Sequence, residues 1–185
     1  YYALANDIDA TITKTWNNGS GFVPIGNDNA PFNGTFDGRG YKIFGLYINS
    51  SASYVGLFGY TTGNVKNLRL VNVNVTASGY YAEVGGLVGE NWGTVSNSYA
   101  TGNVSGCSYV GGLAGENLDF CTVSDSYAAG NVSGEDYVGG LVGWNRGTVT
   151  ASFWDVNTSG IDHSNGGTGK TTEEMKNKTT FLNAG

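Results

Sequence analysis

Gly-Leu-x-Gly returns four times along this chain, and the distance between returns limits the fold more than any other feature. The copies begin at Tyr54 (YVGLFGYTTGNV), Glu83 (EVGGLVGENWGTVSNSYATGNVSG), Tyr109 (YVGGLAGENLDFCTVSDSYAAGNVSG) and Tyr137 (YVGGLVGWNRGTVTASFW). Their leucines, Leu57, Leu87, Leu113 and Leu141, are 30, 26 and 28 residues apart. The last spacing is 26 plus a two-residue insertion around Leu118 to Cys121. A period of this length built from short β-rich pieces fits a β-solenoid with one repeat per coil. A propeller blade needs roughly forty residues or more, which fits less well.

Stacking the coils about 4.8 Å apart turns the alignment into ladders. Leu57/Leu87/Leu113/Leu141, Val55/Val84/Val110/Val138 and Val65/Val95/Val123/Val149 are apolar in every coil and are expected to form the core. Paired glycines such as Gly85-Gly86 suit a bend or a close backbone approach. Asn91, Asn117 and Asn145 suit a turn ladder of stacked amides. Other rows are expected to face outward: Tyr54/Glu83/Tyr109/Tyr137, Tyr60/Glu90/Glu116/Trp144 and Tyr99/Tyr127/Phe153. Arg69 takes the Tyr99 place in the earlier coil if one inserted residue is allowed. A carboxylate in a row argues for solvent there, since burying an unpaired charge is costly.

The expected architecture is a single all-β solenoid of about 26-residue coils. Residues 1–53 supply N-terminal coils or a cap, 54–154 the four repeats, and 155–185 a loop and a short capping helix. FNGTFDGRGYKIFGLYI reads as an earlier coil around a turn at Asp37-Gly38. TTEEMKNKTTFL is the one helical stretch, with Thr171 and Glu174 as its capping box. It would cover the open end of the rod. The chain opens at Tyr1, and the segment is expected to be a piece of a longer protein.

The Gly-Leu-Val-Gly repeat followed by GTVSNSYATGNVSG resembles the GLUG-motif proteins, a group of large secreted or surface-anchored bacterial and archaeal chains that includes filamentous-haemagglutinin-like adhesins. The repeat also occurs in some IgA-specific metallopeptidases, outside the peptidase domain. YYALANDIDA, FNGTFDGRGYKI and GGTGKTTEEM are similar to the segments that flank such arrays. The first copy departs, with Phe58 and one glycine before Leu57. The resemblance implies a right-handed parallel β-helix, an extracellular or cell-surface location, and no single activity.

Composition narrows the function. Net charge is −6 and no basic patch is visible, which argues against nucleic acid. No apolar run is long enough to insert in a membrane. Gly169-Lys170-Thr171 looks like half of a phosphate-binding loop, but Ser164 stands where the first glycine belongs, and no nucleotide is expected. Cys107 and Cys121 match no zinc spacing, and a disulfide between them is left open. Asp7, Asp9, Asp28 and Asp37 lie in loop-like segments, but no specific motif supports calcium, and no cofactor is expected.

The reading that follows is a non-catalytic, adhesin-like stalk or surface-binding module. Its partners would be glycans or molecules of a host or neighbouring cell surface, met by aromatic ladders at Tyr99, Tyr127 and Phe153, then Tyr109, Tyr137 and Trp144. One alternative is a polysaccharide-degrading enzyme. Glu90 and Glu116 fall one coil apart, near the roughly 5–9 Å that a glycosidase pair needs. Equivalent repeat positions should give them like environments, however, whereas an acid and a base need unlike ones. A second alternative is ice binding through Thr94, Thr122 and Thr148. The lone His163 lies in a polar loop.

Overall fold

The computed structural model describes residues 1–183, so 184–185 of the expected C-terminal segment lie outside the described residues. The ladders pair in parallel throughout. One sheet stacks Tyr2–Ala3, Thr35–Asp37, Asn64–Lys66, Thr94–Ser96, Thr122–Ser124 and Thr148–Thr150. A second stacks Tyr54–Val55, Glu83–Gly85, Ser108–Gly111 and Asp136–Gly139, and a third Phe58–Thr61, Val88–Asn91, Ala114–Asn117 and Val142–Asn145. The fourth and longest runs from Ile8–Asp9 through Lys42–Phe44, Arg69–Ala77, Tyr99–Ser105, Tyr127–Ala129 and Phe153–Asp155 to Thr168–Lys170. The molecule is a parallel β-solenoid, and the expected all-β fold is present.

The register is the one the repeat dictates. Val84 faces Val55 and Val110, Val110 faces Val138, and Val95 faces Val65 and Val123. Leu87, Leu113 and Leu141 are fully buried. Each such side chain contributes about 1.5–3 kcal/mol by burial, before the entropy of ordering the coil is set against it. The two-residue insertion is a turn over Leu118–Cys121: Asn91 to Asn117 spans 26 residues, and the next pairing, Thr94 to Thr122, spans 28. Arg69 pairs directly with Tyr99, and the irregularity falls just beyond, between Ala100 and Gly102.

Polar ladders hold the corners. Asn91 Nδ2 donates to Asn117 Oδ1 at 2.7 Å, and Asn117 Nδ2 donates to Asn145 Oδ1 at 2.8 Å. A serine ladder fills another corner. Ser98, Ser126 and Ser152 are buried, and their hydroxyls accept from the backbone N–H groups of Leu68, Ser98 and Ser126 at 3.1–3.2 Å. Each also donates to a carbonyl two residues back, at Ser96, Ser124 and Thr150. Buried corners therefore leave few orphan polar groups.

The ends differ from the sequence expectation in detail. Residues near the N-terminus add two 3-10 turns, Thr11–Thr15 and Asn17–Gly19. The single expected helix is two, Thr172–Lys176 and Lys178–Leu182, because Asn177 leaves the helical region and caps the second through Thr179. The Thr171–Glu174 capping box is present. Both cysteines are free thiols. Gly169 and Lys170 belong to a strand that pairs with Phe153–Asp155, and Lys170 faces Glu174 at 3.8 Å. This is an edge strand followed by a capped turn, not a phosphate loop. No helix among the described residues is long and apolar enough to cross a membrane.

Candidate functional site

The outward rows fall into two sites of different character. The first is a furrow between the second and third sheets, where Gly89 and Gly115 bring the two strand backbones together: a Cβ on Gly115 would stand 2.4 Å from the Val84 nitrogen. One wall is Tyr54/Glu83/Tyr109/Tyr137 and the other is Tyr60/Glu90/Glu116/Trp144. The walls touch, with Tyr54 edge-on to Tyr60 at 5.1 Å and Tyr137 edge-on to Trp144 at 4.8 Å. Tyr109 lies flat against Tyr137 at 4.8 Å.

This corrects the expectation that these rows face solvent. Glu90 and Glu116 are 7% and 8% exposed, and Glu83 is partly buried. Of the five aromatics in these rows, only Tyr137 is well exposed. The charge argument failed because the carboxyls find partners or change their protonation. Trp92 Nε1 donates to Glu90 at 2.7 Å, and Arg146 pairs with Glu116 at 3.1 Å. Glu90 and Glu116 thus sit in unlike surroundings, contrary to the expectation from their repeat positions. Burial pushes both carboxyls above the usual range. Glu83 has no such partner, and its Oε2 is buried without a hydrogen bond. Burial, then the like charges of Glu90 and Glu116, push it up to about 7.

Linkage gives this a sign. The folded chain keeps a proton on Glu83 that the unfolded chain releases above its ordinary value of 4.5. The resulting stability is full below that value and is lost as pH rises towards 7. In urea titrations at pH 5 and pH 8, Glu83→Gln is expected to lose about 1–2 kcal/mol less than the parent chain between the two pH values, after allowance for the solvent on one side of the group. Equal losses in both proteins would remove Glu83 as the cause.

The second site is an open groove where the first sheet turns into the fourth. At each turn one residue takes the left-handed conformation: Arg39, Asn67, Asn97, Asp125 and Ala151, with φ between 44° and 54°. The residue two positions on, or three after Arg39, begins the strand of the fourth sheet, giving a ladder of Lys42, Arg69, Tyr99, Tyr127 and Phe153. Asn97 Nδ2 donates to Asn67 Oδ1 at 2.6 Å, and Asn67 Nδ2 donates to Asp37 Oδ1 at 2.9 Å. Amides and carboxylates therefore form one wall, and the ladder forms the other, with Arg69, Tyr99, Tyr127, Asn67, Asn97 and Asp125 all lining the groove. Tyr99 and Tyr127 stack at 4.6 Å and 16°, so each covers a face of the other, and both are partly exposed. Burial drives the Tyr127 phenol up to about 12.

Phe153 is corrected: it is only 6% exposed, because Phe181 of the last helix packs on it at 5.5 Å and on Tyr127 at 5.9 Å. The helix closes the C-terminal end of the groove. Sequence reasoning missed Arg39, Asn67, Asn97 and Asp125, although Asn97-Ser98-Tyr99 and Asp125-Ser126-Tyr127 carried the signal of a left-handed polar residue two places before a ring.

The remaining candidates are dispersed. Thr94, Thr122 and Thr148 stand in register beside Ser96, Ser124 and Thr150, and the array ends at Asn64 and Lys66. His163 is exposed and bonds Asp162. Asp7 serves Lys42, Asp9 serves Thr11, Asp28 serves Asn29, and Asp37 serves Asn67 and the Arg39 backbone. Among the described residues no three His, Cys, Asp or Glu side chains converge on a metal position.

The sequence model described as "The GLUG motif" matches residues 80–105 and 106–133. The chain is 45% identical over 122 residues to "Halomucin" of Haloquadratum walsbyi, covering 62% of this chain and 1% of that one. It is 39% identical over 100 residues to a "Putative Gly-rich membrane protein" of Evansella cellulosilytica, covering 52% of this chain and 12% of that one. This chain thus spans a small fraction of either relative. A crystal structure described as "a putative immunoglobulin A1 protease from Bacteroides ovatus" superposes with a TM-score of 0.64 over 99% of this chain and 80% of that one, at 18% identity, a likeness of fold alone. Two successive GLUG motifs thus occupy the centre of the solenoid.

Proposed function

We propose that this chain is a rigid, non-catalytic segment of an extracellular surface protein, and that the Arg69–Tyr99–Tyr127 groove binds glycan. The stalk half rests on the ladders, which run from Tyr2 to Lys170 and order each coil by its neighbours. Relatives far longer than this chain, one named as a membrane protein, fit a repeat segment within a surface chain. The glycan half rests on one observation: the open groove presents phenols, amides and a free carboxylate in a repeating row. Sugars present rows of hydroxyls that pair with such groups, and stacked rings hold the phenols at fixed spacing. Catalysis is not supported by the furrow carboxylates, whose oxygens face packed rings, Trp92 and Arg146.

A glycan array with labelled protein tests the binding half. The parent chain is expected to retain a polysaccharide subset that the Tyr99→Ala/Tyr127→Ala double variant loses by about tenfold or more. Both rings are partly exposed, so the variant keeps the far-UV spectrum of the solenoid. Undiminished binding by the variant moves the site elsewhere, and no binding by the parent leaves a spacer alone.

A further inference from the structure

Charge in the groove goes beyond what the glycan reading uses. The chain carries net −6, yet four of its nine Lys and Arg residues, Arg39, Lys42, Lys66 and Arg69, lie on two adjacent coils at one end of the groove. Lys42 is matched by Asp7 and Lys66 by Asp37, each at 3.8 Å. Arg39 and Arg69 are exposed, and among the described residues neither side chain forms a salt bridge or a hydrogen bond. The Arg69 guanidinium lies against the bare backbone of Gly40, where a Cβ would stand 3.4 Å from Nη2. It is also the next rung after Tyr99 and Tyr127, so a fork of donors ends the stack about 10 Å from Tyr127, two strand spacings away.

Two carboxylates face the same space, and they act differently. Hydrogen bonds from Asn67, the Arg39 backbone and Tyr1, with Lys66 nearby, hold Asp37 down at about 2, and its charge is already matched. Asp125 is exposed at the far end, on the Tyr127 coil, with no cation paired to it among the described residues. The groove therefore has an electrical direction, cationic at Arg39 and Arg69 and anionic at Asp125. A guanidinium pairs with carboxylate or sulfate oxygens in a bidentate way and holds them more tightly than neutral acceptors.

Resting on the glycan reading, we infer that the groove selects an acidic polysaccharide: the anionic group of one sugar seats at Arg39 and Arg69, and the hydroxyls of the next meet Tyr99, Asn97 and Asp125.

Affinity electrophoresis of the whole chain tests this in gels containing polygalacturonate, chondroitin sulfate or neutral dextran. Retardation is expected with one or both acidic polymers and not with dextran, and it should fade between about 50 mM and 500 mM salt. The polymer that retards more tells carboxylate from sulfate. Arg69→Gln is expected to weaken retardation about tenfold, and Arg69→Lys to restore part of it, since the charge returns without the fork. Lys176→Gln, which alters net charge equally beyond the opposite end of the ladder from Arg69, is expected to change nothing. Equal loss in Arg69→Gln and Lys176→Gln would reduce the effect to net charge and overturn the inference. Retardation by dextran as strong as by the acidic polymers, unchanged in Arg69→Gln, would also overturn it and leave the glycan reading standing. Retardation by none of the polymers, with an empty glycan array, would defeat both.

Discussion

Gly112→Val is expected to abolish the native solenoid, at a cost of more than about 4 kcal/mol, where ordinary core changes cost about 1–3. A Cβ at this position would stand 2.4 Å from the Gly140 carbonyl oxygen and 2.8 Å from the Ala128 methyl. The first obstacle is backbone of the next coil and cannot turn aside. The second belongs to the strand across the core. Gly86 stands in the same relation one coil earlier, 2.6 Å from the Gly112 carbonyl and 2.9 Å from Ala100. At Gly86 and Gly112 the second glycine of Gly-Gly-Leu therefore lies directly against the next coil and the facing strand. Gly112→Ala should already cost several kcal/mol. Far-UV circular dichroism and urea unfolding of both variants check this, with Gly79→Ala as the comparison, where the nearest atom to an added Cβ is the Ala82 methyl at 3.4 Å. A Gly112→Val protein with the parent's unfolding midpoint would contradict the packing described here.

The same glycine shows how much of the fold the sequence carried. Its recurrence before leucine marked a constraint, and the valine and leucine rows, the asparagine ladder and the insertion at Leu118–Cys121 followed from period alone. Ladders are legible because each coil repeats the previous coil's environment. What period does not give is depth. Glu83, Glu90 and Glu116 look like solvent-facing charges in a one-dimensional alignment, but two sheets fold towards each other there and bury them. Phe153 repeats Tyr99 and Tyr127, yet it is the last rung and is covered by Phe181, some thirty residues on and outside the repeat. The Arg39–Arg69 end of the groove was hidden for a related reason. Arg39 lies before the four repeats and Arg69 breaks the pattern of the first, so alignment treated both as exceptions.

The asparagine ladder carries the second large effect, because its hydrogen bonds have a direction. Asn117 is fully buried, accepts from Asn91 and donates to Asn145. Asn145 is fixed in orientation by its own turn, since its Oδ1 accepts from Gly147 N at 3.2 Å and its Nδ2 donates to the Gly147 carbonyl. Asn91 is fixed in the same way by Gly93. Asn117→Leu therefore takes the nearest acceptor from Asn91 Nδ2, which keeps only the longer contacts to the Gly93 and Thr122 carbonyls, and one of the two donors from Asn145 Oδ1, and a loss of about 2–3 kcal/mol is expected. Asn145→Ala, at the half-buried end of the ladder, should cost nearer 1 kcal/mol. Asn117→Asp separates hydrogen bonding from shape. A carboxylate can still accept from Asn91, but it meets the Asn145 oxygen with an oxygen and places a charge in a buried row. Its penalty should exceed that of Asn117→Leu at pH 7. A buried carboxyl takes up a proton more readily in the folded chain, so the penalty should shrink as pH falls, with the new proton donated to Asn145. Urea midpoints at pH 7 and pH 4 measure this, and a penalty that stays constant between them would mean that the ladder tolerates either polarity.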